Sequence, residues 1–284
     1  MAGRSASGAG LFRNLDETEW ETPIRDTGWR VRDMVAHLGA GCRGTRIPRA
    51  VGLLGTDSTL ESINNMHVDA RRQWPVKRVV REFERRSGRL LRSPRLFWTL
   101  LKSWPTAFGT AGMHPWLLAR SVLPFEWHTH LRHDIAPALG SPIPPTDSHR
   151  MHHVLEWMMI KLSGTTTTLD RTDDPVLLHL DGPGGYAWLL VPRGEVRVDT
   201  YMGTVPRGRP YAAGVTGQSI DFPAWATGRE NWRNHDLTIT GDHDYAARFL
   251  DAISVIWFSR QRVAGLAVTL FSGPGRTSCS GPSW

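Results

Sequence analysis

The sequence predicts a chain of two domains, an all-helical domain followed by an α+β domain with an antiparallel sheet. Apolar residues recur at helical spacing in the first half, for example in residues 31–38. From residue 176 onward they alternate with polar residues, as strands with one buried face require. Residues 140–145, rich in Gly and Pro, lie between the two patterns and indicate a boundary. We therefore expect a helical domain over residues 11–148 and an α+β domain over residues 149–258.

The helical domain is preceded by residues 1–10, which are small and polar and are expected to be disordered. Residues 11–20 are predicted to form a short helix or the end of a longer one. Residues 59–91 are predicted to form a long helix with a break at Pro75, because proline lacks an amide hydrogen and clashes with the preceding turn. Pro124 either kinks the helix that it interrupts or begins a new one.

The α+β domain is predicted to begin with a helix over residues 152–162. Three alternating segments follow, separated by Gly- and Pro-containing turns, and they predict an antiparallel meander. Their apolar positions are Val176, Leu178 and Leu180, then Tyr186, Trp188 and Leu190, then Val196, Val198 and Thr200. A helix over 222–232, a strand over 237–240 and a helix over 244–257 complete the domain. Residues 259–284 are rich in Gly and Ser and are predicted to form a loose tail.

Composition limits the class of protein. The chain has 284 residues and two cysteines, Cys42 and Cys279, which are far apart and form no Cys-x-x-Cys pair. This argues against a disulfide framework or a cysteine-based zinc site and fits a reducing compartment. The sequence contains no stretch of 18 apolar residues, and its first residues contain no apolar run long enough for a signal peptide. We therefore expect a cytoplasmic protein without a membrane span.

The net charge of +7 is unevenly distributed. Eleven Lys or Arg residues lie between Arg71 and Lys102, against two acidic residues. A basic helix can follow nucleic-acid phosphates. However, aromatic residues do not interleave with these arginines as a stacking surface would require, and such a segment is more often a solvated helix face. Nucleic acid is therefore not expected as a partner.

Residues 124–134 concentrate the chemically reactive side chains. On a helix, Glu126 and His130 lie one turn apart on one face, which His133 shares, whereas His128 points elsewhere. A third ligand must come from another segment, and His37 is the best candidate. Two His and one Glu leave a fourth position of a tetrahedral zinc site open, as in catalytic sites.

Each of these side chains also has a simpler interpretation. The histidines could be solvated or satisfied core residues. Asp33 lies four residues before His37. It could orient the His37 ring by accepting a hydrogen bond from the ring nitrogen that does not bind the metal, or it could be a solvated carboxylate.

Two further segments carry a family resemblance. The segment Leu-Asp-Glu-Thr-Glu-Trp-Glu-Thr-Pro at residues 15–23, followed by Gly-Trp-Arg-Val-Arg-Asp-Met-Val-Ala-His-Leu at residues 28–38, resembles the N-terminal domain of the mycothiol-dependent maleylpyruvate isomerase family. That domain is one of the DinB-like metal-binding four-helix bundles. The Glu126-x-x-x-His130 pair and the segment 134–140 are similar to a later helix of the family. Residues 237–253 resemble the close of its sterol-carrier-like second domain.

The resemblance implies a divalent metal, with zinc as the first choice, held by His37, Glu126 and His130. It also implies mycothiol, the low-molecular-weight thiol of actinobacteria, as cosubstrate. The thiolate would add to a small electrophile, giving isomerisation or transfer of the thiol. In the family an Asp follows the second metal His by three residues, whereas here the spacing from His130 is four. A register with His133 or His128 in place of His130 is therefore an alternative.

The same resemblance leaves two functional hypotheses. The first is a mycothiol-dependent isomerase or S-transferase. The second is a non-catalytic DinB-like protein that binds a metal or an apolar ligand. Under the first, Arg229 in the Trp-x-x-Gly-Arg segment is expected to bind the substrate, because its planar fork can grip a carboxylate or a developing oxyanion. The alternative for Arg229 is an exposed arginine at a helix end.

Overall fold

A computed structural model describes residues 11–25, 27–42, 60–92, 121–142, 146–163, 174–193, 195–201 and 211–253. The segments predicted to be a disordered N-terminus, 1–10, and a loose tail, 259–284, lie outside the described residues. Helices make up the described part of the chain as far as residue 163, and a sheet flanked by short helices follows. Among the described helices, none is long and apolar enough to cross a membrane.

The first part of the chain contains six α-helices and one π-helix among its described residues. They are α1 (Glu17–Glu21), α2 (Val31–Gly41), α3 (Leu60–Asp69), α4 (Val76–Leu91), α5 (Leu123–Thr129), the π-helix His130–Ile135 and α6 (Ala136–Leu139). The break predicted at Pro75 is confirmed, since α4 begins directly after it. Pro124 lies in the first turn of α5, where proline is tolerated. Residues 93–120 are not described, so the four-helix bundle stays a prediction.

The helices α2 and α4 form the centre of the first core. Met34, Val35 and Leu38 of α2 are buried against Val79 and Phe83 of α4. The close approach of the two helices depends partly on Gly39, whose hydrogen atoms face the Phe83 backbone at van der Waals distance. Fully burying a large apolar side chain contributes roughly 1.5–3 kcal/mol, so this face fixes the position of α2.

Part of the basic segment 71–102 takes part in this packing. Arg71 and Glu82 are both buried and form a two-pronged ion pair, with Nε to Oε2 at 2.6 Å and Nη2 to Oε1 at 3.2 Å. Arg86 reaches the same carboxylate at 2.5 Å. Arg71 therefore joins the α3–α4 turn to α4, while Arg86 pairs with Glu82 within α4; a buried carboxylate needs such partners.

The second part begins with α7 (Ser148–Ser163) and contains a five-stranded sheet. Its strands are β1 (Val176–Asp181), β2 (Ala187–Arg193), β3 (Glu195–Tyr201), β4 (Ala213–Gln218) and β5 (Thr238–Gly241), in the order β3-β2-β1-β4-β5. The predicted meander is confirmed, since β1 pairs antiparallel with β2 and β2 with β3. The prediction of an antiparallel sheet is wrong in one respect: β1 and β4 are parallel, and the sheet is mixed.

The strand β4 has no counterpart in the sequence prediction. Its segment Ala-Gly-Val-Thr-Gly-Gln contains Gly214 and Gly217, and glycine is unfavourable in strands. Both glycines are explained by close neighbours in the sheet. A Cβ at Gly214 would meet Thr240 Oγ1 of β5 at 2.6 Å, and one at Gly217 would clash with the side chain of Leu237, just before β5. Tertiary packing therefore overrides local preference in this strand.

The strand predicted over 237–240 is confirmed as β5, shifted by one residue, whereas the two remaining helices are shorter than predicted, and residues 254–257 of the last one lie outside the described residues. The helix expected over 222–232 divides into α8 (Phe222–Ala226) and a 3-10 turn (Trp232–Asn234), with Gly228 between them at φ +73°. The last described helix is α9 (His243–Ala252), capped by the Asp242 carboxylate, which accepts from the Tyr245 amide.

Helix α5 lies between two hydrophobic cores. Its Phe125 is buried with residues of α7, the sheet and α9 in the second core. Two residues further on, Trp127 packs against the first core, where its ring meets Phe83 edge-on at 5.7 Å. The face of α5 between these two side chains carries Glu126. The two parts of the chain therefore meet at this helix.

A second contact joins α7 to the turn between β1 and β2. Gly184 has a φ of +66°, and a Cβ at this position would meet the His152 backbone nitrogen at 2.5 Å and the Ser148 carbonyl oxygen at 2.8 Å. Only glycine combines this dihedral angle with so close an approach.

We expect Gly184→Ala to lower the free energy of unfolding by about 3 kcal/mol, because it adds a backbone clash to the left-handed strain. Gly140→Ala is the matched control. Gly140 has a φ of +56° with no neighbour within 4 Å, so it should lose only about 1 kcal/mol. Urea unfolding of both variants measures the difference, and equal losses would contradict the close contact.

Candidate metal centre

Three of the predicted site residues come together around one carboxylate oxygen. Glu126 Oε2 lies 3.2 Å from His37 Nε2 and 3.1 Å from His130 Nε2. The two imidazole rings are 5.2 Å apart and nearly perpendicular. One potential ligand atom from each residue lies within 4.8 Å of the others. The three side chains therefore surround one small volume, as donors to a single cation must.

His37 is positioned by α2 and by Trp29. The ring of Trp29 lies 5.3 Å from the imidazole, and its Nε1 donates to Asn65 Oδ1 on α3 at 3.1 Å. Neither interpretation of Asp33 is correct, because its carboxylate is buried and its hydrogen bonds are to Arg30. Asp33 is the third residue of α2 and accepts from the Arg30 backbone amide and from the Arg30 guanidinium. It therefore caps the helix that presents His37.

Glu126 and His130 lie one turn apart along α5 and the start of the π-helix. Burial alone raises the pKa of Glu126, but hydrogen bonds from His130 and His37 outweigh it and hold that pKa well below its usual range. Burial also lowers the pKa of His130, yet hydrogen bonds to Asp134 and Glu126 outweigh it and raise that pKa. The Glu126 side chain keeps a quarter of its surface exposed, so the centre is open to solvent on that side.

Asp134 supports His130 from behind. Its Oδ2 lies 2.5 Å from His130 Nδ1, so the Nδ1–H donates to the carboxylate and Nε2 is left to face Glu126 and His37. These residues are four apart within the π-helix, which is closed by i to i+5 hydrogen bonds such as that from the Ala136 amide to Leu131. The wider turn keeps residues four apart close to one line along the helix.

Arg229 binds the other side of Asp134. Its Nε donates to Oδ1 at 2.8 Å and its Nη2 to Oδ2 at 2.9 Å, which is the two-pronged arrangement that arginine favours with carboxylates. Burial raises the pKa of Asp134, but hydrogen bonds from His130 and Arg229 outweigh it and lower that pKa to about 2. The carboxylate is therefore ionised at neutral pH.

A helix C-terminal motif fixes the position of Arg229. The Gly228 amide donates to the Trp225 carbonyl at 3.1 Å and the Arg229 amide to the Ala224 carbonyl at 3.0 Å. This is the Schellman pattern, with glycine in the left-handed conformation just after α8. The remaining guanidinium nitrogen, Nη1, donates to Thr227 Oγ1 at 2.8 Å. The guanidinium thus lies beside the centre but faces Asp134 and Thr227.

His128 and His133 lie apart from the three converging side chains. Their rings are 6.2 Å from each other, and neither belongs to the group around Glu126 Oε2. Burial is the main cause that lowers the pKa of His128 to about 3 and that of His133 to about 4, so both rings are neutral at pH 7. The geometry brings His130, and not either alternative, to Glu126.

His133 lines an open cavity of about 560 Å³ between the π-helix, the segment after α6 and the turn before α8. The cavity is also lined by Arg132, Pro142 and Asp221, and by none of the three converging side chains. It is therefore a neighbouring feature and not the space in front of the candidate metal centre.

The donor set fits a divalent transition metal. Two imidazole nitrogens and one carboxylate oxygen are typical zinc ligands, and three protein ligands leave a position for an exogenous group. The carboxylate behind His130 is the support that liganding histidines usually have. This role of Asp134 was not predicted, although its four-residue spacing from His130 is visible in the sequence.

The comparison with protein-family models agrees with the resemblance found in the first half. Residues 4–134 match the family model of the mycothiol maleylpyruvate isomerase N-terminal domain. Two solved structures, of mycothiol-dependent maleylpyruvate isomerase and of a histidine-to-alanine mutant of it, are 15% and 14% identical, each with a TM-score of 0.45. Both similarities cover 82% of this chain and 86% of the other. None of the curated proteins compared with the chain matches it.

We expect Asp134→Ala to lower the free energy of unfolding by about 3 kcal/mol, because it leaves the Arg229 guanidinium buried without its carboxylate. Asp251→Ala is the matched control, since Asp251 also holds an arginine with both oxygens, at 2.6 and 2.8 Å, but is half exposed. It should lose less than about 1 kcal/mol. Denaturant unfolding measures both losses, and similar values would argue against a special role for the buried pair.

Proposed function

We propose that this chain, whose residues 4–134 belong to the mycothiol maleylpyruvate isomerase N-terminal domain family, is a metal-dependent enzyme that uses mycothiol as a thiol cosubstrate. Its substrate is a small electrophile, and the reaction is an isomerisation or a transfer of the thiol. The observation that carries the proposal is the convergence of His37, Glu126 and His130 within the matched residues.

His37, Glu126 and His130 are the residues that would hold the metal. A divalent ion in such a site, zinc in the first instance, lowers the pKa of a thiol that binds to it and so supplies a thiolate at neutral pH. Asp134 accepts a hydrogen bond from His130 Nδ1–H, so that the lone pair of Nε2 can bind the metal. The partly exposed carboxylate of Glu126 marks the side from which a cosubstrate could approach.

The thiol is supplied from outside the described part of the chain. Cys42 is buried at the end of α2, and its Sγ–H donates to the Leu38 carbonyl. Burial raises the pKa of this thiol to about 12, so it is not a nucleophile at neutral pH. Cys42 therefore does not supply the nucleophile, which is consistent with a diffusible thiol such as mycothiol.

The chemistry follows from what a thiolate does to an activated double bond. Addition of the sulfur converts the double bond to a single bond, about which the adduct can rotate. Expulsion of the thiol then returns an isomer of the substrate, whereas retention of the sulfur gives a conjugate. Both outcomes need stabilisation of negative charge on a substrate oxygen next to the new bond.

Arg229 is the residue that we expect to bind the substrate, and its existing contacts limit how it can do so. Its donors already engage Asp134 and Thr227, and its side chain is 11% exposed. A substrate carboxylate must therefore compete with Asp134 for the guanidinium. Through the Asp134 contact, Arg229 also contributes to the orientation of His130.

His130→Ala should lower the zinc content by one equivalent relative to the wild type, because it removes one of the three ligands of this centre, whereas His128→Ala should leave the content unchanged. Metal content after dialysis, measured by mass spectrometry, checks both. The two histidines are two residues apart on the same helix, so the comparison controls for the loss of an imidazole. Loss of the metal in the His128 variant alone would contradict the assignment.

The zinc-loaded chain should isomerise maleylpyruvate, or conjugate another small electrophile, only when mycothiol is added. His37→Ala should reduce that rate by at least about 100-fold, since the thiol then lacks its activating centre. Product formation with and without mycothiol measures the dependence. A chain that binds zinc but shows neither isomerisation nor conjugation in a screen of electrophiles would support a non-catalytic metal-binding protein instead.

A further inference from the structure

A second group of imidazoles lies at the start of α7, and no function described above uses it. The segment beginning at Ser148 places His149, His152, His153 and Glu156 at relative positions 1, 4, 5 and 8. Residues three and four apart are neighbours on a helix surface. All four side chains therefore lie on one face of α7.

Three of these side chains converge. One potential ligand atom from each of His152, His153 and Glu156 lies within 4.8 Å of the others. His153 Nδ1 is 3.3 Å from Glu156 Oε2, and the rings of His152 and His153 are 5.5 Å apart. The ring of His149 is 4.9 Å from that of His153, one turn earlier on the helix. A fourth imidazole is therefore next to the converging group.

Contacts with neighbouring segments hold the group in place. Ser121 Oγ, just before α5, donates to Glu156 Oε2 at 2.5 Å. The ring of Tyr186, just before β2, meets His152 edge-on at 5.6 Å. The turn at Gly184 packs directly on the backbone of His152. Such contacts reduce the rotamer entropy that a ligand would otherwise have to remove.

The charges around the group also favour a cation. Glu156 is half-buried and supplies one negative charge next to the imidazole rings. Arg150, the arginine nearest in sequence, pairs with Asp147 at 3.1 Å at the exposed start of the helix. A small divalent ion can reach the donors between the rings, which the planar guanidinium of an arginine cannot.

We propose that His152, His153 and Glu156, with His149 as a fourth donor, form a second site for a divalent transition metal. Imidazole donors with one carboxylate suit Zn²⁺, Ni²⁺ or Cu²⁺, whereas Mg²⁺ and Ca²⁺ prefer all-oxygen sites. All the ligands belong to one helix, so the metal stabilises the first two turns of α7. No ligand is shared with the His37 centre, and the two sites bind independently.

The test is a zinc titration of the full chain, stripped of metal with a chelator, against a chromophoric competitor. The wild type should bind two equivalents. His153→Ala should bind one, and that one should disappear when His37→Ala is added. His179→Ala, which removes a half-exposed histidine on β1, is the control and should keep two equivalents.

A second variant guards against a folding defect. Glu156→Gln keeps an oxygen that can accept from Ser121 but removes the charge, so we expect at least tenfold weaker binding of the second equivalent with an unchanged melting temperature in the absence of metal. If the second equivalent persists in both variants, or if the wild type binds only the zinc that His37→Ala removes, the second site is refuted. If the wild type binds one zinc that only His153→Ala removes, the second site stands and the His37 centre fails.

Discussion

The buried ion pair between Asp134 and Arg229 is the interaction on which the candidate centre depends. It joins residues 95 apart in sequence, and both partners are almost fully buried. Desolvation offsets much of the attraction in such a pair, so its contribution is orientation more than stability. Asp134 can hold the His130 ring in one tautomer because Arg229 holds Asp134. The second part of the chain thereby controls a donor atom that the first part supplies.

Helix α5 makes this arrangement possible. Phe125 belongs to the core formed with α7 and the sheet, while Trp127 packs against the core formed by α2 and α4. Glu126 is consequently held at the boundary between the two hydrophobic cores, where a polar side chain can be rigid and still partly exposed. Close packing on both sides prevents the helix from rotating, since rotation would expose one aromatic ring. The distance from Glu126 to His37 thus follows from packing that involves neither residue.

Local sequence patterns were sufficient to predict part of the fold and part of the candidate site. Helical spacing predicted that Glu126 and His130 share a face, and proline chemistry predicted the break before α4. Contacts between distant segments were not predictable in this way. The partner of Arg229 depends on where α8 docks. The glycines of β4 are explained only by their neighbours, Thr240 of β5 for Gly214 and the Leu237 side chain for Gly217. The spacing of Asp33 from His37 suggested a contact between them. Its carboxylate instead accepts from the backbone amide of Arg30, three residues before it, and so caps α2.

The π-helix at His130–Ile135 bears on how such centres are recognised from sequence. A wide turn takes up one residue more than an α-turn while both ends of the segment continue along the same axis. An insertion between a liganding imidazole and its carboxylate can therefore be absorbed within the helix, with no displacement of the residues upstream. The number of residues between the histidine and its carboxylate can then differ from chain to chain. A sequence pattern with one fixed spacing would overlook chains in which the same pair is intact.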